Sequence, residues 1–240
     1  MITTVLTVCD RLDYLESQIE AIENQTVKSE IFIHWNSLEP YPLHYPAFVY
    51  KNTEKHFSLY NRFYASINNR TEYTFIPDDD IIPGKNYIEK CIEFSKSKND
   101  KVAIGVLGMN FAEGETKYNV KERVGVGHKI FPSRSYKVDM IGQGYFMHRD
   151  ILRNYTNTNP LHPYGEDIHL AYCLYNNDIP LYVLDIDKED KSTYPDLTYG
   201  RRGNDAKSQW KHPRHQKLRD FLMESYTSSG WKFKKDYTLL

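Results

Sequence analysis

Short apolar runs alternate with helically spaced apolar positions through the first half of the chain. Residues 2–8 are apolar or β-branched without interruption, a pattern that predicts a buried strand. Apolar residues then recur every three or four positions as far as Asn24, which predicts a helix. The predicted strands cover residues 2–8, 31–35, 48–50, 71–77, 102–107, 137–141, 144–148 and 181–186. The predicted helices cover residues 12–24, 59–67, 87–95, 166–175 and 215–224.

This alternation of strands and helices predicts an α/β fold with a mixed, mainly parallel central sheet. We expect a single domain over residues 1–240, because no internal repeat or low-complexity linker interrupts the sequence. Residues 108–127 are polar and carry glycines, so a loop-rich connection is predicted there. Gly142-Gln143-Gly144 predicts a tight turn between two short strands.

Charge and composition narrow the class of protein. A net charge of −1 gives no electrostatic case for nucleic acid as a partner. The 3 cysteines lie far apart, without zinc spacing or a disulfide framework, which favours a reducing compartment. The apolar start of the chain is too short for a signal peptide, and no stretch reaches the roughly 18–20 apolar residues of a membrane span. We therefore expect a soluble, cytoplasmic protein, which would reach a membrane acceptor only from the surface.

Three adjacent aspartates, Asp78, Asp79 and Asp80, follow directly after the strand predicted over residues 71–77. Apolar residues flank them, and neighbouring carboxylates in such surroundings repel one another and are costly to desolvate. A divalent cation removes that cost, and carboxylate oxygens suit Mg²⁺ or Mn²⁺, which commonly bridge to substrate phosphates. Ligands of open α/β sheets bind at the carboxyl ends of strands, where this triplet falls. The triplet indicates a metal and phosphate site, against the alternative of a solvated acidic turn.

The order of motifs along the chain resembles that of a known family. The segment TVLTVCDR, then Trp35-Asn36, then Asn61-Arg62-Phe63 ahead of the aspartates together resemble the GT-A glycosyltransferases. The likeness covers about residues 2–180 and is greatest to the exostosin-type (family 64) transferase domain. It implies a Rossmann-like GT-A fold whose DXD motif holds a metal ion, Mn²⁺ or Mg²⁺, and a nucleotide-sugar donor. Residues 1–107 would form the nucleotide-binding half, 108–190 the acceptor half and 191–240 a basic tail.

The resemblance also implies which residues contact the nucleotide. Thr7 and Arg11 match first-loop positions that touch it, and Asn36 matches an asparagine near the base. Asn61 and Arg62 match a pair that helps to hold the nucleotide.

The same resemblance implies the roles of the triplet and of one basic residue. Asp80 would bind the metal directly, while Asp78 and Asp79 would contact the ribose and the waters of the metal, with Asp78 close enough to be a second ligand. Arg201, which lies between glycines in a basic segment, would close over the diphosphate in a loop that orders on donor binding.

A second acidic motif, Glu166-Asp167, opens the helix predicted over residues 166–175. Acidic residues are favoured at a helix N-terminus on local grounds alone, which is the structural alternative. The resemblance implies that Asp167 faces the reacting sugar. There it would act as general base toward the acceptor hydroxyl in an inverting reaction, or stabilise the oxocarbenium-like centre in a retaining one. Glu166 would orient the acceptor or support Asp167. The Gly142-Gln143-Gly144 segment resembles the one that shapes the donor-sugar pocket.

These motifs together predict a metal-dependent glycosyltransferase. It would move a sugar from a nucleotide-diphosphate sugar, with UDP favoured over GDP, to a hydroxyl acceptor such as a glycan. One alternative is a nucleotidyltransferase, although the loop after the first strand lacks the glycines that cradle a triphosphate. Another is a non-catalytic carbohydrate-binding protein on the same fold.

Overall fold

The computed structural model describes residues 1–8, 12–36, 48–51, 59–125, 134–187, 189–194 and 213–233. Its strands are β1 (Ile2–Val8), β2 (Ser29–Trp35), β3 (Phe48–Lys51), β4 (Tyr73–Pro77), β5 (Ala103–Phe111), β6 (Val120–Gly125), β7 (Tyr136–Val138), β8 (Met140–His148) and β9 (Leu181–Val183). Its α-helices are α1 (Leu15–Glu23), α2 (Asn61–Ile67), α3 (Tyr87–Ser97), α4 (Arg149–Leu152), α5 (Glu166–Tyr175) and α6 (Pro213–Ser228). Short 3₁₀ turns precede α1 and follow α4.

The described strands form one sheet in the order β3-β2-β1-β4-β8-β5-β9-β7. Strand β6 lies off this path and pairs with the C-terminal part of β5. The pairs β1–β2, β2–β3, β1–β4 and β5–β9 are parallel. Strand β8 is antiparallel to both of its neighbours, so β1 to β5 and β9 all run in one direction. This confirms the predicted α/β fold with a mixed, mainly parallel sheet.

Alternate residues along the central strands feed two separate cores, because successive side chains of a strand point to opposite faces. Phe75 of β4 packs with α3 residues on one face, whereas its neighbour Ile76 packs with residues of α2, α5 and α6 on the other. Leu15 and Ile19 of α1 pack against β1 and β2 in a third, smaller cluster. The sheet is thus covered by helices on both faces, as mainly parallel sheets require.

The prediction of a loop-rich region over residues 108–127 was wrong at both ends of its described part, and only residues 112–119 lie outside strands there. Strand β5 continues to Phe111, and it pairs with β6 as an antiparallel hairpin. Gly108, which suggested a loop, lies inside β5, where side chains of β7 and β9 come close to its backbone. A Cβ there would lie 2.5 Å from Cγ1 of Val138 and 2.7 Å from Cγ2 of Val183. The glycine is therefore required by tertiary packing and does not mark a turn.

The prediction of a Gly-Gln-Gly turn was also wrong, because β8 runs through this segment as one strand. Gly105 of β5 faces Tyr145, whereas Leu107 faces Gly142, so β8 carries one extra residue at this point. Gln143 has a φ of 62° there, and the strand accommodates it as a bulge.

The C-terminal helix is longer than predicted and belongs to the main core. Leu222, Met223 and Tyr226 of α6 are buried in the cluster that also contains α5. The expected mobile loop around Arg201 lies outside the described residues. Among the helices that the structure describes, none has the length and apolarity that crossing a membrane would need.

Candidate active site

The aspartate triplet forms a turn at the carboxyl end of β4, and the backbone of that turn is fixed from two sides. The amide of Asp78 donates to the carbonyl oxygen of Gln143 in the β8 bulge at 3.0 Å. The buried side chain of Gln18, from α1, donates through Nε2 to the carbonyl oxygens of Asp78 at 2.8 Å and Ile81 at 3.0 Å. The bulge and α1 therefore set the position of the triplet.

Arg62 is the buried cation at the centre of the site. Its Nη1 lies 2.6 Å from Oδ1 of Asp78, and its Nη2 lies 2.9 Å from Oε1 of Glu166. The same Nη2 lies 3.4 Å from the hydroxyl of Tyr145 on β8. Only 6% of the Arg62 side chain is exposed, against 30% of the Asp78 side chain. Arg62 therefore joins the triplet directly to the second acidic motif.

The second acidic motif divides into one buried and one half-buried carboxyl. Glu166 is buried, and burial raises its pKa to about 7 although Arg62 acts in the opposite direction. Asp167 is half-buried, and its Oδ1 accepts a hydrogen bond from the amide of Ile168 at 2.8 Å. Burial also raises the pKa of Asp167, whereas the charge of Arg219 lowers it. Asp167 is the more accessible of the two acids.

Helix α6 shapes the start of α5, a contact that the sequence pattern does not predict. Gly165 precedes α5 with a φ of 90°, and a Cβ at this position would collide with Cδ1 of Leu222 on α6. The guanidinium carbon of Arg219, one helical turn away from Leu222, lies 5.2 Å from the centre of the Tyr118 ring. The amide of Tyr118 donates to Oδ1 of Asp220 at 3.0 Å. Arg219 and Tyr118 both lie close enough to the acidic motif to interact electrostatically with Asp167.

A helix was predicted over residues 215–224, but no pattern in the sequence pairs that helix with Gly165. Arg219 and Tyr118 were missed for this reason. The one available signal was a positively charged residue on the helix predicted over residues 215–224.

Two of the residues predicted to contact the nucleotide, Thr7 and Asn36, lie at the ends of adjacent strands. Thr7 is near the end of β1, and Asn36 follows β2, where its amide donates to the carbonyl oxygen of Val8 at 2.7 Å. Both side chains are buried. The Thr7 hydroxyl is buried and has no hydrogen-bond partner among the residues that the structure describes. Asn61 is the first residue of α2, while Arg11 and Arg201 lie outside the described residues.

The structure brings Thr7, Asn36 and the aspartate triplet to one edge of the sheet. Strands β2, β1 and β4 are adjacent and parallel, so Asn36, Thr7 and the triplet lie at neighbouring carboxyl ends. This is the edge at which open α/β sheets bind ligands. Side-chain contacts through Arg62 then connect this edge to Glu166.

No known protein family matches the sequence, and neither does any curated protein. The fold is similar to the crystal structure of S. aureus TarS 1–349, with a TM-score of 0.57 and 12% identity over 78% of this chain and 58% of that chain. The same fragment with UDP-GlcNAc gives a TM-score of 0.57, with 13% identity over 78% and 56% of the two chains. Its complex with UDP gives 0.56, with 12% identity over 78% and 58%.

The chain thus spans less than two thirds of the length of the TarS fragment. At this identity the likeness shows the fold, and TarS is a GT-A glycosyltransferase. The protein therefore has a GT-A fold. The closer resemblance to the exostosin-type domain stays a prediction.

Proposed function

We propose that this protein is a glycosyltransferase that takes a sugar from a nucleotide-diphosphate sugar and transfers it to a hydroxyl acceptor. The observation that carries the proposal is the Asp78–Arg62–Glu166 link, which sets the triplet beside the second acidic motif at the ligand-binding edge of a GT-A sheet. Sugar transfer from a diphosphate needs both a site for the phosphates and a nearby carboxylate. These residues supply both.

The proposed donor is a UDP-sugar. The fold matches TarS structures that contain UDP-GlcNAc and UDP, which favours uridine over guanosine as the base. Thr7, Asn36 and Asn61 are the proposed contacts to the nucleoside, with Arg11 and Arg201 as further proposed contacts from outside the described residues. The buried Thr7 hydroxyl supports this assignment, because a buried polar group without a partner is costly unless a ligand completes it.

The proposed cofactor is Mn²⁺ or Mg²⁺. The described residues hold no group of three or more His, Cys, Asp or Glu side chains placed to bind a metal ion. This donor set still fits these cations, which are commonly held by one or two carboxylates together with substrate phosphates. Asp80 is the proposed first ligand and Asp78, which uses Oδ1 for Arg62, the second. When bound, the cation would neutralise charge on the leaving diphosphate.

Asp167 is the proposed general base toward the acceptor hydroxyl in an inverting reaction. Its carboxyl is more exposed than that of Glu166, and burial raises its pKa while the charge of Arg219 acts against that rise. Glu166 supports it from the buried side, where it is already paired with Arg62. The proposed acceptor is a glycan.

Calorimetric titration with UDP and with GDP, each with Mn²⁺ and with EDTA, tests the donor and metal sites. We expect binding of UDP that requires Mn²⁺ and is lost in Asp80→Ala. Asp150→Ala serves as the control, since Asp150 is an exposed aspartate on α4.

Two other results would replace the proposal. If neither nucleotide binds under any metal condition, the donor site does not exist and a non-catalytic carbohydrate-binding protein is the better description. Release of pyrophosphate from UTP and a sugar phosphate would instead identify a nucleotidyltransferase.

A further inference from the structure

The two terminal nitrogens and the flat faces of the Arg62 guanidinium are enclosed by groups of the protein itself. Its two terminal nitrogens are engaged by Asp78 and Glu166, and its guanidinium carbon lies 5.0 Å from the centre of the Tyr145 ring and 5.3 Å from that of Phe63. Its Nε is buried and has no hydrogen-bond partner within the described part of the chain. A guanidinium fixed in this way is badly placed to reach out to a phosphate.

The two partners of Arg62 come from different parts of the fold. Asp78 follows β4 and has its amide tied to the β8 bulge, whereas Glu166 is the first residue of α5. The planar fork of an arginine can bind one carboxylate with both terminal nitrogens. Here each nitrogen binds a different carboxylate, so one side chain fixes the separation between the end of β4 and the start of α5.

We propose that Arg62 is a positioning residue that holds Asp167 in register with the aspartate triplet, and that it carries the effect of donor binding from the triplet to the start of α5. This inference rests on the proposed function. The family resemblance implies that Arg62 contacts the nucleotide. In this proposal Arg62 instead contacts other groups of the protein. Asp167 follows Glu166 directly, so any shift of Glu166 moves it. A misplacement of about 1 Å is enough to lower a catalytic rate on the order of 100-fold.

The test compares Arg62→Lys with the wild-type protein in two measurements. The first is the affinity for UDP with Mn²⁺ by calorimetry, and the second is backbone hydrogen exchange over residues 164–170, with and without UDP and Mn²⁺. Lysine keeps the positive charge but cannot place two nitrogens in a fixed fork. Arg153→Lys is the matched control, since Arg153 forms an exposed ion pair with Asp150.

We expect Arg62→Lys to bind UDP within about threefold of the wild-type affinity. Exchange at the start of α5 should be roughly tenfold faster, as expected for the loss of one charge-assisted hydrogen bond. In the wild type and in Arg153→Lys, UDP should slow this exchange, and in Arg62→Lys it should not. A purely structural role would leave that UDP-dependent slowing in place.

Three results would overturn the inference. One is a UDP affinity at least tenfold weaker in Arg62→Lys, because Arg62 would then support donor binding itself and not only the position of Asp167. Another is unchanged exchange at the start of α5, and the third is slowing by UDP that survives the substitution. If Arg62→Lys does not fold, Glu166→Gln replaces it, since that change weakens the same link from the α5 side. Failure of the wild type to bind UDP overturns the proposed function separately, and exchange without ligand then decides whether Arg62 holds α5.

Discussion

A single buried arginine balances two carboxylates at the centre of this site, and this charge balance is the main feature at the scale of residues. Arg62 carries one positive charge, whereas Asp78 and Glu166 together carry two negative charges when both are ionised. Buried charges must be paired, so the excess must be relieved by a proton or by another cation. Glu166 is the more deeply buried of the two acids, and burial raises its pKa to about 7.

This raised pKa makes stability depend on pH through Glu166. A carboxyl that binds its proton more tightly in the folded state stabilises the fold at low pH, and that contribution is lost as the pH rises toward 7. Glutamine does not titrate, so we expect Glu166→Gln to lose much less stability than the wild type as the pH rises. The free energy of unfolding of the variant, minus that of the wild type, should increase by roughly 2–3 kcal/mol between pH 5 and pH 8.

Urea unfolding at several pH values measures this difference, with the exposed Glu93→Gln on α3 as the control. Parallel stability curves for the wild type and Glu166→Gln would show that Glu166 stays ionised throughout this range. Asp167 has a pKa shifted in the same direction, so part of the slope should remain in the variant.

At the scale of elements, predictions succeeded where the local pattern and the tertiary environment agree. Strands β1 and β4 are buried along their whole length, so their uninterrupted runs of apolar and β-branched residues identify them. Predictions failed where a glycine is needed for close packing against residues that are far away in the sequence. Gly108 and Gly144 look like turn residues, yet both lie in strands. Each must be glycine because a Cβ there would collide with valines of neighbouring strands. Such contacts join residues far apart in sequence, and no local pattern contains them.

The contact between α5 and α6 gives a prediction for Gly165. We expect Gly165→Ala to destabilise the fold by about 2–4 kcal/mol, because alanine adds both left-handed backbone strain and a collision with Leu222. Gly114→Ala is the control, since Gly114 also has a positive φ of 75° but nothing lies within 4 Å of its Cβ. It should cost only about 1–2 kcal/mol of backbone strain.

Thermal and urea unfolding of both variants distinguishes the two contributions. Adding Leu222→Ala to Gly165→Ala should cost less than the sum of the single changes, because the collision is removed with the leucine. If Gly165→Ala and Gly114→Ala lower the free energy of unfolding equally, α6 moves away from the added methyl group without loss of stability.

At the scale of the whole molecule, the site depends on how the sheet interleaves the two halves of the chain. Strand β8, from the second half, lies between β4 and β5 of the first half. It carries the bulge that holds the amide of Asp78 and also Tyr145, which contacts Arg62. The sequence predicted each motif, but it could not predict that this strand and α6 would bring them together.

The donor and acceptor sides should nevertheless be separable by substitution. Asp167→Asn preserves the shape of the side chain and removes its basicity, so we expect UDP to bind with Mn²⁺ within about threefold of wild type. Release of UDP from UDP-sugar donors, in water or with glycan acceptors, should fall on the order of 100- to 10,000-fold, the usual contribution of a general base. Asp80→Ala should show the opposite pattern and lose nucleotide binding itself. If Asp167→Asn releases UDP at the wild-type rate, Asp167 is not the base, and the acidic residue at the start of α5 serves only the helix N-terminus.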